Sequence, residues 1–124
     1  MPSRTEFQTT FARLKRLLQK HAKNLTVVVN KPGSYSLNAG YVEKWDKEIF
    51  FGAVTIKKNY VSYFLMPVYI YPALLKGISP LLKKRMQGKS CFNFTTIDDA
   101  MLRELSALTD KGYQQFKREK WIGK

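Results

Sequence analysis

Between Thr5 and Ala22 the apolar residues Phe7, Phe11, Leu14 and Leu18 recur at spacings of four, three and four. At ~100° per residue they form one stripe, widened by Leu17 and Ala22, and Arg13, Lys15, Arg16, Lys20 and Lys23 fall on the remaining arc. The spacing predicts a helix with one buried and one cationic face, capped by Ser3 or Thr5. A second stripe, Met101, Leu105, Leu108, Gly112 and Phe116, predicts a closing helix, with Thr96 as its cap and Asp99 three residues on. Glycine inside a helix costs about 1 kcal/mol relative to alanine, so Gly112 implies a close approach to a neighbour.

The segments between the helices read as strands. Leu25 to Val29 is β-branched and bounded by Lys31-Pro32-Gly33, and Tyr35 to Leu37 predicts a second short strand. Trp45 to Glu48 reads as a turn. Ile49 to Ile56 and Tyr60 to Met66 carry the strongest β pattern, and Lys57-Lys58-Asn59 between them predicts a hairpin with Asn59 suited to positive φ. Pro67 ends the second of these strands because it lacks a ladder donor. Ser79-Pro80 predicts the start of a short helix, which Gly88 stops, and Ser90 to Phe94 is a further strand.

This order predicts a single α+β domain over 1–124: an antiparallel sheet of four to five strands with the N- and C-terminal helices packed on one face. Apolar residues occupy both alternations of the hairpin strands, Phe50, Val54 and Ile56 on one and Phe51 and Ala53 on the other. A sheet covered on one side normally shows polar residues on the other. A cover for the second face is therefore expected: the loop from Val68 to Ala73, a ligand, or a second copy in a homodimer.

Composition narrows the class. The chain has 124 residues, 44% hydrophobic and 14% aromatic, enough for one core without disulfide or metal support. Its longest apolar run, Val61 to Ala73, is interrupted by Ser62, Pro67 and Pro72, which excludes a membrane-spanning helix of ~20 apolar residues. The start, Met1-Pro2-Ser3-Arg4, lacks an apolar export segment, and the expected location is the cytoplasm. One cysteine, Cys91, excludes an internal disulfide.

Several stretches together resemble the YdhG-like family, bacterial domains of unknown function. They are Phe51-Gly52-Ala53-Val54, Asn59-Tyr60-Val61-Ser62-Tyr63, Leu65-Met66-Pro67-Val68-Tyr69, Ile78-Ser79-Pro80, Met86 to Phe94 and the Leu102 to Phe116 helix. The resemblance implies a frataxin-like sandwich with two terminal helices flanking an antiparallel sheet, and raises an iron-carrying role as an alternative. Frataxins hold iron on an acidic first helix and strand. Here Glu6 is the one acid on the first helix, and residues 7–42 contain no Asp or Glu. A cationic surface repels metal cations, by about 4 kcal/mol for unit charges ~4 Å apart at an effective dielectric near 20. No metal ligand and no cofactor is assigned.

Catalytic sets are also missing. His21 is the only histidine, so a triad or multi-histidine site is excluded within one chain. Gly88-Lys89-Ser90 resembles the end of a P-loop, but Lys83 stands where that motif needs glycine. Asp98 and Asp99 are adjacent, so on a helix they do not face one another; capping and dipole compensation account for them. Cys91 within Cys91-Phe92-Asn93-Phe94 reads as a packed thiol, with an enzyme or carrier using an aromatic cleft near it as an alternative.

Charge and aromatic residues remain. Lys plus Arg number 22 against 9 Asp plus Glu, a formal +13, and residues 49–97 contain no acid. Candidate anion-binding residues are Arg13, Arg16, Lys20, Lys83, Lys84, Arg85 and Lys89, facing an anionic ligand or nucleic acid. Trp45, Phe51, Tyr63, Tyr69 and Tyr71 are the candidate ligand-binding aromatics, since tyrosine and tryptophan combine apolar area with one polar group.

Overall fold

The structure, a computed structural model, describes residues 4–122. Helix α1 (Arg4–Gln19) leads into a five-stranded antiparallel sheet of β1 (Thr26–Lys31), β2 (Ser34–Val42), β3 (Lys47–Ile56), β4 (Val61–Leu65) and β5 (Cys91–Phe94). The strands lie side by side in chain order. Short helices α2 (Met66–Ile70) and α3 (Pro80–Lys83) fill the connection between β4 and β5, and α4 (Asp99–Arg118) closes the fold. The predicted α+β class and strand number hold.

Both long helices pack on the same face. Leu14 and Leu18 of α1 and Leu105 and Phe116 of α4 are fully buried. They cover Tyr35 and Leu37 of β2, Val54 of β3, Tyr63 and Leu65 of β4, and Phe92 and Phe94 of β5, all in the same core. Register fixes this set: Tyr35 pairs with Val54, and Val54 in turn with Tyr63, which pairs with Phe92. Inside this layer the Tyr63 hydroxyl meets Thr109 Oγ1 at 2.7 Å, and that hydroxyl donates to the Leu105 carbonyl at 2.9 Å. Burial raises the Tyr63 phenol far above its ordinary pKa, so it remains a neutral hydrogen-bonding group.

The helices are tied to each other as well. Arg13 of α1 pairs with Asp99 and donates to the Ile97 carbonyl. Lys20 Nζ and His21 Nε2 reach the two oxygens of Asp110 at 2.9 and 2.8 Å. The His21 ring stacks on Tyr113 with centroids 4.1 Å apart. Burial pushes the Asp110 carboxyl up, but its contacts with Lys20 and His21 outweigh this and hold it below the ordinary value.

Local details correct several expectations. Ser3 lies outside the described residues, and Thr5 sits inside α1 rather than ahead of it. The α4 cap is Asp98, whose carboxylate accepts from Met101 N at 2.7 Å, not Thr96; a carboxylate also complements the helix dipole. Asn59 is not among the residues with positive φ, which outside glycine are Asp46 and Lys120. β2 runs for nine residues where a short strand was expected, because it pairs on both sides. Ser79 and Pro80 start α3 as predicted, and Glu104 of α4 accepts from both the Ser79 amide and its hydroxyl.

Gly112 has the close neighbour its position implied. A Cβ there would lie 2.8 Å from Pro67 Cβ and 2.9 Å from Pro67 Cγ, so α2 rests directly on the α4 backbone. The sheet edges differ. The β5 edge is lined by residues 85–87, through Asn93 N to Arg85 O at 2.8 Å, Gln87 N to Cys91 O at 2.9 Å, and a bridge between Met86 and Phe92. On the β1 edge the register shifts between Val27 and Val29, and Val27 and Val28 are exposed.

Candidate functional site

The five candidate aromatics do not form one cleft. Phe51 and Tyr63 are 0% exposed and belong to the core, which corrects their assignment as ligand contacts. A bulge explains Phe51: Leu37 pairs with Gly52 and Asn38 with Phe50, so Phe51 is the extra residue between them. It turns inward and packs edge-on against Tyr113 and Phe116 at 6.2 and 5.8 Å.

Trp45 and Tyr69, 38% and 54% exposed, do share an open cleft of about 630 Å³. Asn38, Phe50, Met66 and Ile70 line it with them, and Lys47 and Glu48 stand at its side. Tyr71 lies behind Trp45, both against the Trp121 ring, and its hydroxyl donates to Glu119 at 2.8 Å. Burial and that carboxylate push the Tyr71 phenol up to about 12. Trp121, absent from the sequence-based set, closes this cluster by packing on Phe116 at 5.1 Å and accepting from Gly40 N at 2.6 Å. A second opening of about 660 Å³ lies between the start of α1 and the β1–β2 turn and contains none of the predicted site residues.

The predicted cations divide into two groups. Arg13 and Lys20 are engaged with Asp99 and Asp110, partners 86 and 90 residues away, which corrects their assignment to a free anion site. Arg16 is exposed on α1. Lys83, Lys84, Arg85 and Lys89 are all exposed along α3 and the turn that follows, and none enters an ion pair among the described residues.

The second sheet face is more polar than the hairpin alone implied. Because successive side chains alternate across a strand, register places Lys31, Ser34, Thr55, Ser62 and Asn93 in one row across all five strands. Val29, Ser36, Ala53, Phe64 and Cys91 form the next row. Neither α1 nor α4 covers this face, and α2 packs at its end against α4. Every strand contributes to the polar row, and the alternation Ser34, Ser36, Asn38 was the sequence signal for the part that β2 supplies. Their groups bond laterally: Ser34 meets Thr55 at 3.4 Å, Ser62 donates to Asn93 Oδ1 at 2.7 Å, and Asn93 Nδ2 donates to Gln87 at 2.7 Å.

Cys91 belongs to this row and does not line the aromatic cleft. Its thiol donates to Asn93 Oδ1 at 3.4 Å. Burial pushes its pKa up, against smaller lowering effects from the Ser62 hydroxyl and the Lys57 ammonium. A thiol held in its protonated form is a poor nucleophile. Among the described residues no three His, Cys, Asp or Glu side chains are grouped to hold a metal ion, and no helix is long and apolar enough to cross a membrane. No protein-family model matches the chain, and no curated protein or solved structure matches it significantly.

Proposed function

We propose that the chain is a small non-enzymatic binding domain of the YdhG-like type that recognises an anionic ligand through its basic surface, acting in the cytoplasm. One observation carries the reading: internal structure engages at least five of the nine acids and leaves a concentrated set of cations free. Asp98 caps α4, Asp99 and Asp110 hold Arg13 and Lys20, Glu104 anchors Ser79, and Glu119 takes the Tyr71 hydroxyl. Lys83, Lys84, Arg85 and Lys89 are left exposed on one short stretch without a neutralising partner among the described residues. Charge concentrated this way attracts polyanions and makes their binding sensitive to salt.

The test is fluorescence titration with heparin, nucleotides and phosphorylated metabolites at low and high ionic strength. Salt-sensitive binding that weakens in a Lys83→Gln, Lys84→Gln, Lys89→Gln triple variant supports the reading. Absence of binding to every anion at low salt refutes it.

A further inference from the structure

The open sheet face adjoins the basic stretch through Arg85. The strand-like pairing of residues 85–87 with β5 puts Arg85 in the same alternation as Gln87, whose side chain already bonds Asn93 on that face. Lys31 stands at the opposite margin, on the row that runs through Ser34 and Thr55. Lys57 extends the outward alternation of β3, and its ammonium acts on the Cys91 thiol of the same face. The segments that carry these side chains, residues 7–42 and 49–97, contain no acid.

The spacing selects the ligand. Strands lie ~4.8 Å apart, so Lys31 and Arg85, five steps apart across the sheet, are separated by about 24 Å and cannot close on one phosphate. They suit an extended polyanion laid across the sheet. Between them lie the half-buried hydroxyls of Ser34, Ser36 and Thr55, able to meet base edges, and one half-buried aromatic ring, Phe64, while Ser62 is buried and bonded to Asn93. The directly opposite cross-strand neighbours of Phe64 are the small residues Ala53 and Cys91, and its ring is partly exposed. Bases in a duplex are stacked on each other and cannot reach such a ring, whereas an unpaired base can.

We propose that this open face is a platform for single-stranded nucleic acid, with phosphates on Lys31, Lys57 and Arg85 and a base stacked on Phe64. The proposal rests on the reading that the basic surface recognises an anion, and names its chemical class and place.

The experiment is fluorescence anisotropy on the intact chain with labelled short single-stranded RNA and DNA, the matching duplex, and heparin, a polyanion without bases. Single strands are expected to bind at least ~10-fold tighter than duplex, since only they present free bases. With three phosphates neutralised, affinity should fall roughly 20-fold between about 50 and 200 mM salt. Phe64→Ala should weaken single-strand binding by ~5-fold or more and leave heparin binding unchanged. Phe64→Leu, which keeps apolar bulk in place, should do the same if the alanine variant unfolds. RNA and DNA arms separate the two sugars. Heparin binding with equal affinity for single strand and duplex, or with no effect of Phe64→Leu on single strands, overturns this proposal and leaves the broader reading intact. Loss of all polyanion binding overturns both. Self-association in sedimentation velocity that a Ser36→Glu substitution abolishes also overturns it, because a second copy then occupies the face.

Discussion

Replacing Gly112 by alanine sets two opposed effects against each other. In a solvent-facing helix the change is favourable by about 1 kcal/mol, because alanine has the lower backbone entropy cost. Here the new methyl would stand 2.8 and 2.9 Å from two ring carbons of Pro67, whereas carbon atoms in contact settle near ~3.5–4.0 Å. A pyrrolidine ring has no rotamer by which to withdraw, so α2 must move as a body. Overpacking of this kind costs about 1–3 kcal/mol, and the two short contacts with a rigid ring put this site in the upper part of that range, above the propensity gain. The expected net destabilisation is up to about 2 kcal/mol, read as a lower urea midpoint at unchanged m-value and a Tm fall of up to about 8 °C. The displacement should also reach Tyr69, which α2 carries into the cleft. Adding Pro67→Ala, which removes the ring carbon 2.9 Å away, should make the double variant more stable than the sum of the single changes. A Gly112→Ala protein as stable as wild type or more so would refute the claim that α2 and α4 meet at van der Waals limit.

Further outcomes follow from the same structure. Thr109→Val strands the buried Tyr63 hydroxyl and should cost about 1–3 kcal/mol in chemical denaturation, with much of the loss recovered by adding Tyr63→Phe. Asp110→Asn removes a partly exposed carboxylate from Lys20 and His21 and should cost at most ~1 kcal/mol near neutral pH. Because the folded Asp110 pKa lies below the unfolded one, its contribution is complete above the ordinary aspartate pKa of about 3.9. It vanishes as pH falls through the folded value, so the wild-type and variant stabilities should converge in acid titration. Cys91 should react with a disulfide reagent more slowly than free cysteine at neutral pH and match it once the chain is unfolded; equal rates in both states would contradict its raised pKa.

The parts legible in sequence were those governed by local spacing. The two helical stripes and the Ser79-Pro80 start depend on residues within a turn or two of each other and appear where expected, whereas β4 ends at Leu65, one residue short of the expected end, and Pro67 falls in the first turn of α2. Hairpin runs were legible as strands, but their facing was not, because a bulge at Phe51 breaks the two-residue alternation. Aromatic identity alone also failed to separate Tyr63 in the core from Tyr69 in the cleft, since both residues suit either setting. The cationic helix face was visible, yet its reduction was not: Arg13 and Lys20 find acids 86 and 90 residues away, contacts that exist only after the chain ends meet. The polar second face depends on four pairing registers at once, which no single segment displays.

The unequal margins of the sheet bear on how the domain behaves when crowded. On the β5 side residues 85–87 take up the outward backbone groups of Cys91 and Asn93, so these are closed to a foreign strand. On the β1 side the register slip between Val27 and Val29 spoils the even ladder of donors and acceptors that a foreign strand would need. The protein can thus keep two bare valines on its hem without inviting fibril-like stacking of one molecule upon the next.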